Sequence, residues 1–214
     1  MVDDERTGPA GPFAYTAFEK WKYKPIIHKA EHAQLWRDLG DSFFSASLLL
    51  VEKVVRREIS DDMEGLAAVF LFRHYLELAL KDLILRGRSL VTEDRNTLRD
   101  EVKEVAHVHE LTKLWEWVIR DAKPKVKPES WDEYDTEYVE KCLWEFDAVH
   151  SKGFAFRYPG AGGESCIFAF AELWEAMRHI EHVLGGLISY LKEAHAQNDE
   201  YESFLQSEYG SEMY

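Results

Sequence analysis

The stretch from Asp62 to Arg88, DMEGLAAVFLFRHYLELALKDLILRGR, constrains this chain more than any other. It is rich in Leu and Ala and contains no Pro. Gly65 and Gly87 stand only near its ends, so it predicts one long helix. On a 3.6-residue wheel, Leu66, Val69, Phe72, Leu76, Leu80, Leu83 and Ile84 share one side. Glu64, Tyr75, Asp82 and Arg86 share another, which is expected to face water. Arg73 falls inside the apolar arc, with Glu77 beside it.

A guanidinium in an apolar arc needs a partner, because burying it alone costs several kcal/mol. Glu77 is four residues on from Arg73 and Lys81 four on again, so the three can touch along one helix face. Two readings follow. One is a structural ion pair that fixes how helices dock. The other is the floor of a ligand or active site, where perturbed charged groups cluster.

The chain is long enough for one domain with a real core: 214 residues, 46% hydrophobic and 14% aromatic. Its formal charge of −14 opposes non-specific binding to nucleic-acid backbones, which needs a positive field. Cys142 and Cys166 form neither a metal motif nor a disulfide framework, so free thiols in a reducing cytoplasm are expected. The opening MVDDERTGPAGPFAY has acids early and no apolar core, unlike a signal peptide. No run approaches the roughly 18 apolar residues of a membrane span. No membrane association is expected.

Residues 1–29 read as an irregular arm, rich in Gly, Pro and aromatics, lying against the body. A helical bundle domain follows over 30–196, and an acidic tail over 197–214. Within the bundle, helices are expected at about 30–57, 62–88, 109–122, 130–151 and 168–195. Ser42, Ser45, Ala46 and Ser47 permit close approach on the first. Ser60 or Asp61 is expected to cap the second. Residues 89–104 are charged and weakly periodic, and read as a loop with some helix. Ser130 and Glu133 form a capping box. FAFRYPGAGG, residues 154–163, cannot be helical. His179 and His182 should be wet. With no strand pattern, the fold class is all-α: an up-down antiparallel bundle of four to five long helices.

Metal chemistry is not supported. His28 and His32 have few acids nearby, and Glu104 with His107 is only half of a di-metal carboxylate motif. No cofactor is expected, since the glycines at 160, 162 and 163 fit neither a phosphate loop nor a dinucleotide fingerprint. Richer chemistry lies in DAVHSKGFAFRYP, residues 147–159. Asp147 or His150 has the chemistry of an acid or base near pH 7. Arg157 can fork onto a phosphate or carboxylate. Equally, Arg157 can cap helix carbonyls or pair with Glu77, with Tyr158 and Pro159 packing the turn.

FRHYLELALKDLIL, then HELTKLW, then FDAVHSKGFAFRYP, then a long amphipathic helix, together resemble the HEPN superfamily (higher eukaryotes and prokaryotes nucleotide-binding). The resemblance rests on Glu77 and Lys81 one turn apart, on His109 and Leu111 opening the next helix, and on Phe156, Arg157, Tyr158 and Pro159. It spans about residues 30–195. It implies a helical bundle, a homodimer, and a role in bacterial stress or phage defence. The implied ligands are a nucleotide, RNA or a protein partner such as a nucleotidyltransferase. The alternative it implies is a metal-independent ribonuclease toxin. That activity's signature, Arg followed by His after four to six residues, is absent: Arg178 and His182 are too close, Arg99 and His107 too far apart. The candidate ligand-binding residues are Arg73, Glu77, Lys81, His109 and Tyr158, and the candidate catalytic residues are Asp147, His150 and Arg157.

Overall fold

The computed structural model describes residues 29–91, 95–127, 132–151 and 169–209. Among these there is no strand, and the all-α expectation holds. The helices are α1 (Lys29–Val55), α2 (Met63–Ser89), α3 (Arg95–Ala106), α4 (Leu111–Trp117), α5 (Glu133–Ser151) and α6 (Phe170–Tyr209). A π-helical turn, Val118–Ala122, and a 3₁₀ turn, Lys123–Lys125, continue α4. The expected arm and the FAFRYPGAGG loop lie outside the described residues.

α2 is the axis of the fold. It packs against α1, α3, α4, the π turn and α6. From Tyr75 to Arg88 every residue is buried. The water-facing side expected for Tyr75, Asp82 and Arg86 is therefore corrected: α1 and α6 cover it. Arg37 of α1 and Glu181 and Lys192 of α6 supply charges around this second polar row. Of the four residues on that side only Glu64, in the first turn, is exposed.

Of Ser42, Ser45, Ala46 and Ser47, only Ser47 turns inward, donating its hydroxyl to the Ala68 carbonyl at 2.7 Å. α1 ends with Arg57 in the left-handed region, φ 59°. The Glu58 N–H reaches the Lys53 carbonyl and the Arg57 N–H that of Val54, a Schellman closure. Ser60 caps nothing in α2; its hydroxyl accepts from the Asp62 N–H in the turn before it.

The stretch read as a loop with some helix, 89–104, is helical from Arg95. Its apolar contribution is small, yet Val105 is fully buried and anchors it to the core. Ser130 lies outside the described residues; Asp132 caps α5, accepting the Tyr134 N–H at 2.8 Å. α6 continues to Tyr209, through much of the stretch read as an acidic tail. At about 1.5 Å per residue its 40 residues outrun the 27 of α2. Among the α6 residues of described burial, up to Asp199, the last buried one is Leu191.

Gly87 and Gly186 differ in what they do. A Cβ on Gly87 would stand 2.6 Å from the Asp121 carbonyl oxygen and 2.7 Å from Ala122 Cα. α2 and the π turn touch there, backbone to backbone. A Cβ on Gly186 would meet nothing within 4 Å. Urea denaturation should find Gly87→Ala destabilised by about 1–3 kcal/mol through overpacking. Gly186→Ala should gain up to about 1 kcal/mol of helix propensity. Arg57→Gly should gain about 1 kcal/mol by relieving the left-handed backbone.

Candidate functional site

Three polar side chains on α2, one turn apart, converge on the corner between α3 and α4. Glu77 is the hub. Its Oε1 accepts Lys81 Nζ at 2.8 Å and faces His109 Nδ1 at 2.8 Å, while Oε2 lies 3.5 Å from an Arg73 terminal nitrogen. Arg73 is buried, as expected, and donates to the His109 carbonyl at 2.7 Å. It also lies 3.6 Å from Asp147 Oδ1 on α5. Lys81 donates to the Ala106 carbonyl at 3.0 Å, neutralising the negative end of α3.

Asp147 works at the opposite kind of helix end. Its Oδ2 accepts the Thr112 N–H at 2.8 Å and the Thr112 hydroxyl at 3.0 Å. The carboxylate thus serves an orphan donor in the first turn of α4, although it comes from another helix. Glu110, at the N-cap position itself, makes no side-chain cap. Thr112 was not singled out from sequence. Its role depends on a partner 35 residues away, and no local pattern announces that.

The network has one wet end. The Glu77, Lys81 and Arg73 side chains are nearly sealed, whereas the His109 side chain is 68% exposed. Arg73 holds the His109 backbone and Glu77 holds its ring, so the imidazole is fixed at both. The carboxylate engages Nδ1, which leaves Nε2 as the ring nitrogen outside this contact. Burial alone would push the Glu77 carboxyl up. The bonded Lys81 ammonium and His109 ring outweigh that and hold it below its usual range. His74, half-buried beside the network, is pushed down by burial, with Glu77 opposing only in part.

The structure therefore brings together Arg73, Glu77, Lys81, His109 and Asp147. His150 lies on α5, but its side chain is not among those described. Arg157 and Tyr158 lie outside the described residues. No trio of His, Cys, Asp or Glu able to hold a metal occurs among the described residues. None of their helices is long and apolar enough to cross a membrane.

Two further polar clusters were missed from sequence. Arg86 Nε lies 2.8 Å from Asp82 Oδ1, close enough for an ion pair though too bent for a well-aligned hydrogen bond. Asp82 is fully buried, and burial raises its pKa. Arg88 pairs with Asp121 at 2.7 Å and Glu104 at 2.8 Å, with the Trp117 ring 5.1 Å away. His179, expected to be wet, is half-buried, 2.9 Å from Asp135 and edge-on to Tyr138. His182 is exposed as expected.

No family model, curated protein or solved structure matches this chain.

The hub and the Asp82 pair should respond differently to mutation and pH. Glu77→Gln leaves Arg73 and Lys81 buried with less counter-charge, and should cost about 3 kcal/mol at pH 7. Because the folded carboxyl titrates below its unfolded value of 4.5, the stability it contributes is present above that value. It is lost as pH falls through the folded one, so thermal melts of variant and wild type should converge in acid. For Asp82, Arg86→Met alone should destabilise by about 3–5 kcal/mol. The double change Asp82→Leu with Arg86→Met should recover most of that loss.

Proposed function

We propose that this protein is a HEPN-like helical domain that binds a nucleotide or an RNA end at the corner between α3 and α4, in a bacterial stress or phage-defence setting. The observation that carries the proposal is the double hold on His109: a surface imidazole fixed by two side chains that are themselves sealed in the core. A corner needed only for packing has no use for an oriented, wet imidazole at the end of a buried charge row. Cations of the row lie immediately behind it, which suits an anionic group on a small ligand. The overall charge of −14 favours a compact ligand over a long nucleic-acid backbone. Titration calorimetry with nucleoside mono-, di- and triphosphates and short RNA oligonucleotides tests this. His109→Ala removes the exposed ring and its contact with Glu77, and should weaken binding at least tenfold while circular dichroism shows the protein still folded. Wild-type protein that binds none of these ligands, or a variant that binds as wild type does, overturns it.

One observation favours a second reading, a metal-independent ribonuclease. The Glu77–His109 pair has the arrangement of a proton-transfer dyad: a buried carboxylate orients the ring and leaves Nε2 free to accept a proton. On this reading, total RNA is cleaved in the presence of a metal chelator, and His109→Ala abolishes cleavage. Intact RNA after prolonged incubation with wild-type protein leaves the binding reading alone. A protein partner such as a nucleotidyltransferase remains part of the proposal through the family resemblance.

A further inference from the structure

The start of α5, the middle of α6 and α4 leave a cleft of about 140 Å³ between them. Asp132, Asp135 and Thr136 border it from α5, and His182 and Gly186 from α6. Trp115 of α4 also lines it and is itself buried, so the indole closes the inner end. No Lys or Arg borders the space. For scale, an apolar cavity of about 150 Å³ holds a benzene-sized molecule, roughly six non-hydrogen atoms.

α6 presents bare backbone to this cleft. A Cβ on Gly65 or Gly87 would collide with a packed neighbour, but one on Gly186 would meet nothing within 4 Å. Packing therefore does not require a glycine at 186, and inside a helix glycine is less stable than alanine. What a side chain at 186 would take up is the cleft itself. The carboxylates across from it are only partly engaged. Asp132 Oδ1 accepts the Tyr134 N–H at 2.8 Å, and Asp135 Oδ1 lies 2.9 Å from His179 Nε2. Oδ2 of each is left for a further donor. Thr136 donates its hydroxyl to the Asp132 carbonyl at 2.9 Å, so its own lone pairs can accept. The positive end of the α5 dipole opposes a cation here, but it amounts to roughly half a charge. Asp132 at the cap, with Glu133 and Asp135 in the first turn, outweighs it.

We propose that this cleft binds a small organic cation, a primary amine of about six non-hydrogen atoms. Its ammonium group donates to Asp132, Asp135 and the Thr136 hydroxyl. Its alkyl stem lies against Trp115 and Leu187 and over the bare backbone at Gly186. The charge is opposite to that of the anionic ligand at the His109 corner, and the two sites are separate. Asp147, which serves that corner, lies more than three turns along α5 from Asp135, about 18 Å. An open cleft covers such a ligand only in part, so its dissociation constant is expected on the order of 1 mM.

Proton–nitrogen correlation NMR of the full chain, titrated with pentylamine, tests the site. Salt at about 0.15 M screens loose attraction to an acidic surface. The Trp115 indole N–H and the Gly186 amide should shift and saturate together. Pentanol, the same shape without the charge, should bind at least tenfold more weakly. Asp132→Asn keeps an oxygen to cap α5 and removes the charge. It should weaken pentylamine at least threefold, and together with Asp135→Asn at least tenfold. Gly186→Leu puts a side chain into the cleft and should abolish saturable binding, with circular dichroism showing the chain folded. Shifts that do not saturate overturn the proposal. So does pentanol binding as well as pentylamine, or binding that is indifferent to the loss of both carboxylates. A folded Gly186→Leu variant that binds as wild type does overturns it equally.

Discussion

The Glu77 carboxylate is the interaction on which the corner between α3 and α4 depends. Two cations of the same buried helix and one surface imidazole meet at or near its two oxygens. Removing one charged partner from such a cluster exposes the others to a low-dielectric interior, where an unpaired ion is far more costly than the pair. Each cation also has a second duty. Lys81 takes up a carbonyl at the end of α3, and Arg73 takes up a carbonyl in the link to α4. Asp147 then serves the first turn of α4 from across the interface. Helix ends that would otherwise strand backbone groups are thus satisfied by side chains sent from two other helices.

This division of labour explains how α3 and α4 can be so short and still hold their places. α4 has seven residues, below the length at which an isolated helix is stable. Its persistence comes from tertiary contacts: Leu111, Leu114 and Trp115 in the core, and the Asp147 carboxylate at its start. The π turn that follows widens the backbone where α2 comes closest, and Gly87 is what allows that approach. Arg88, next in sequence, then ties Asp121 in the π turn to Glu104 at the end of α3.

α2 carries polar side chains on two sides because neighbours cover both. The Arg73, Glu77 and Lys81 row faces the α3–α4 corner. The Tyr75, Asp82 and Arg86 row faces α1 and α6. A helix in this position cannot be sorted into a wet and a dry side. Its charged groups must instead be sorted by which neighbour compensates them. The surface shows the complementary pattern: an acidic chain with a fixed imidazole at one corner.

The all-helical class, the long central helix and the buried Arg73 with its Glu77 and Lys81 neighbours could be read from the chain, because each rests on spacing within a few residues. His109 and Asp147 could be named as polar residues of interest but not placed, since their partners lie more than thirty positions away in sequence. The wheel for α2 assigned Asp82 and Arg86 to water because a wheel knows only one helix. Residues 89–104 read as a loop with some helix because their own apolar content is low; the docking of α3 is supplied by others. Periodicity, turn residues and the placement of a charge within an apolar arc are properties of the sequence alone, and they determined the kind of fold and the need for a polar centre. Which charge meets which, which helix end is capped, and which imidazole stays wet were decided only by the tertiary structure, because hydrogen bonds and desolvation act over a few ångströms in space however far apart their groups lie along the chain.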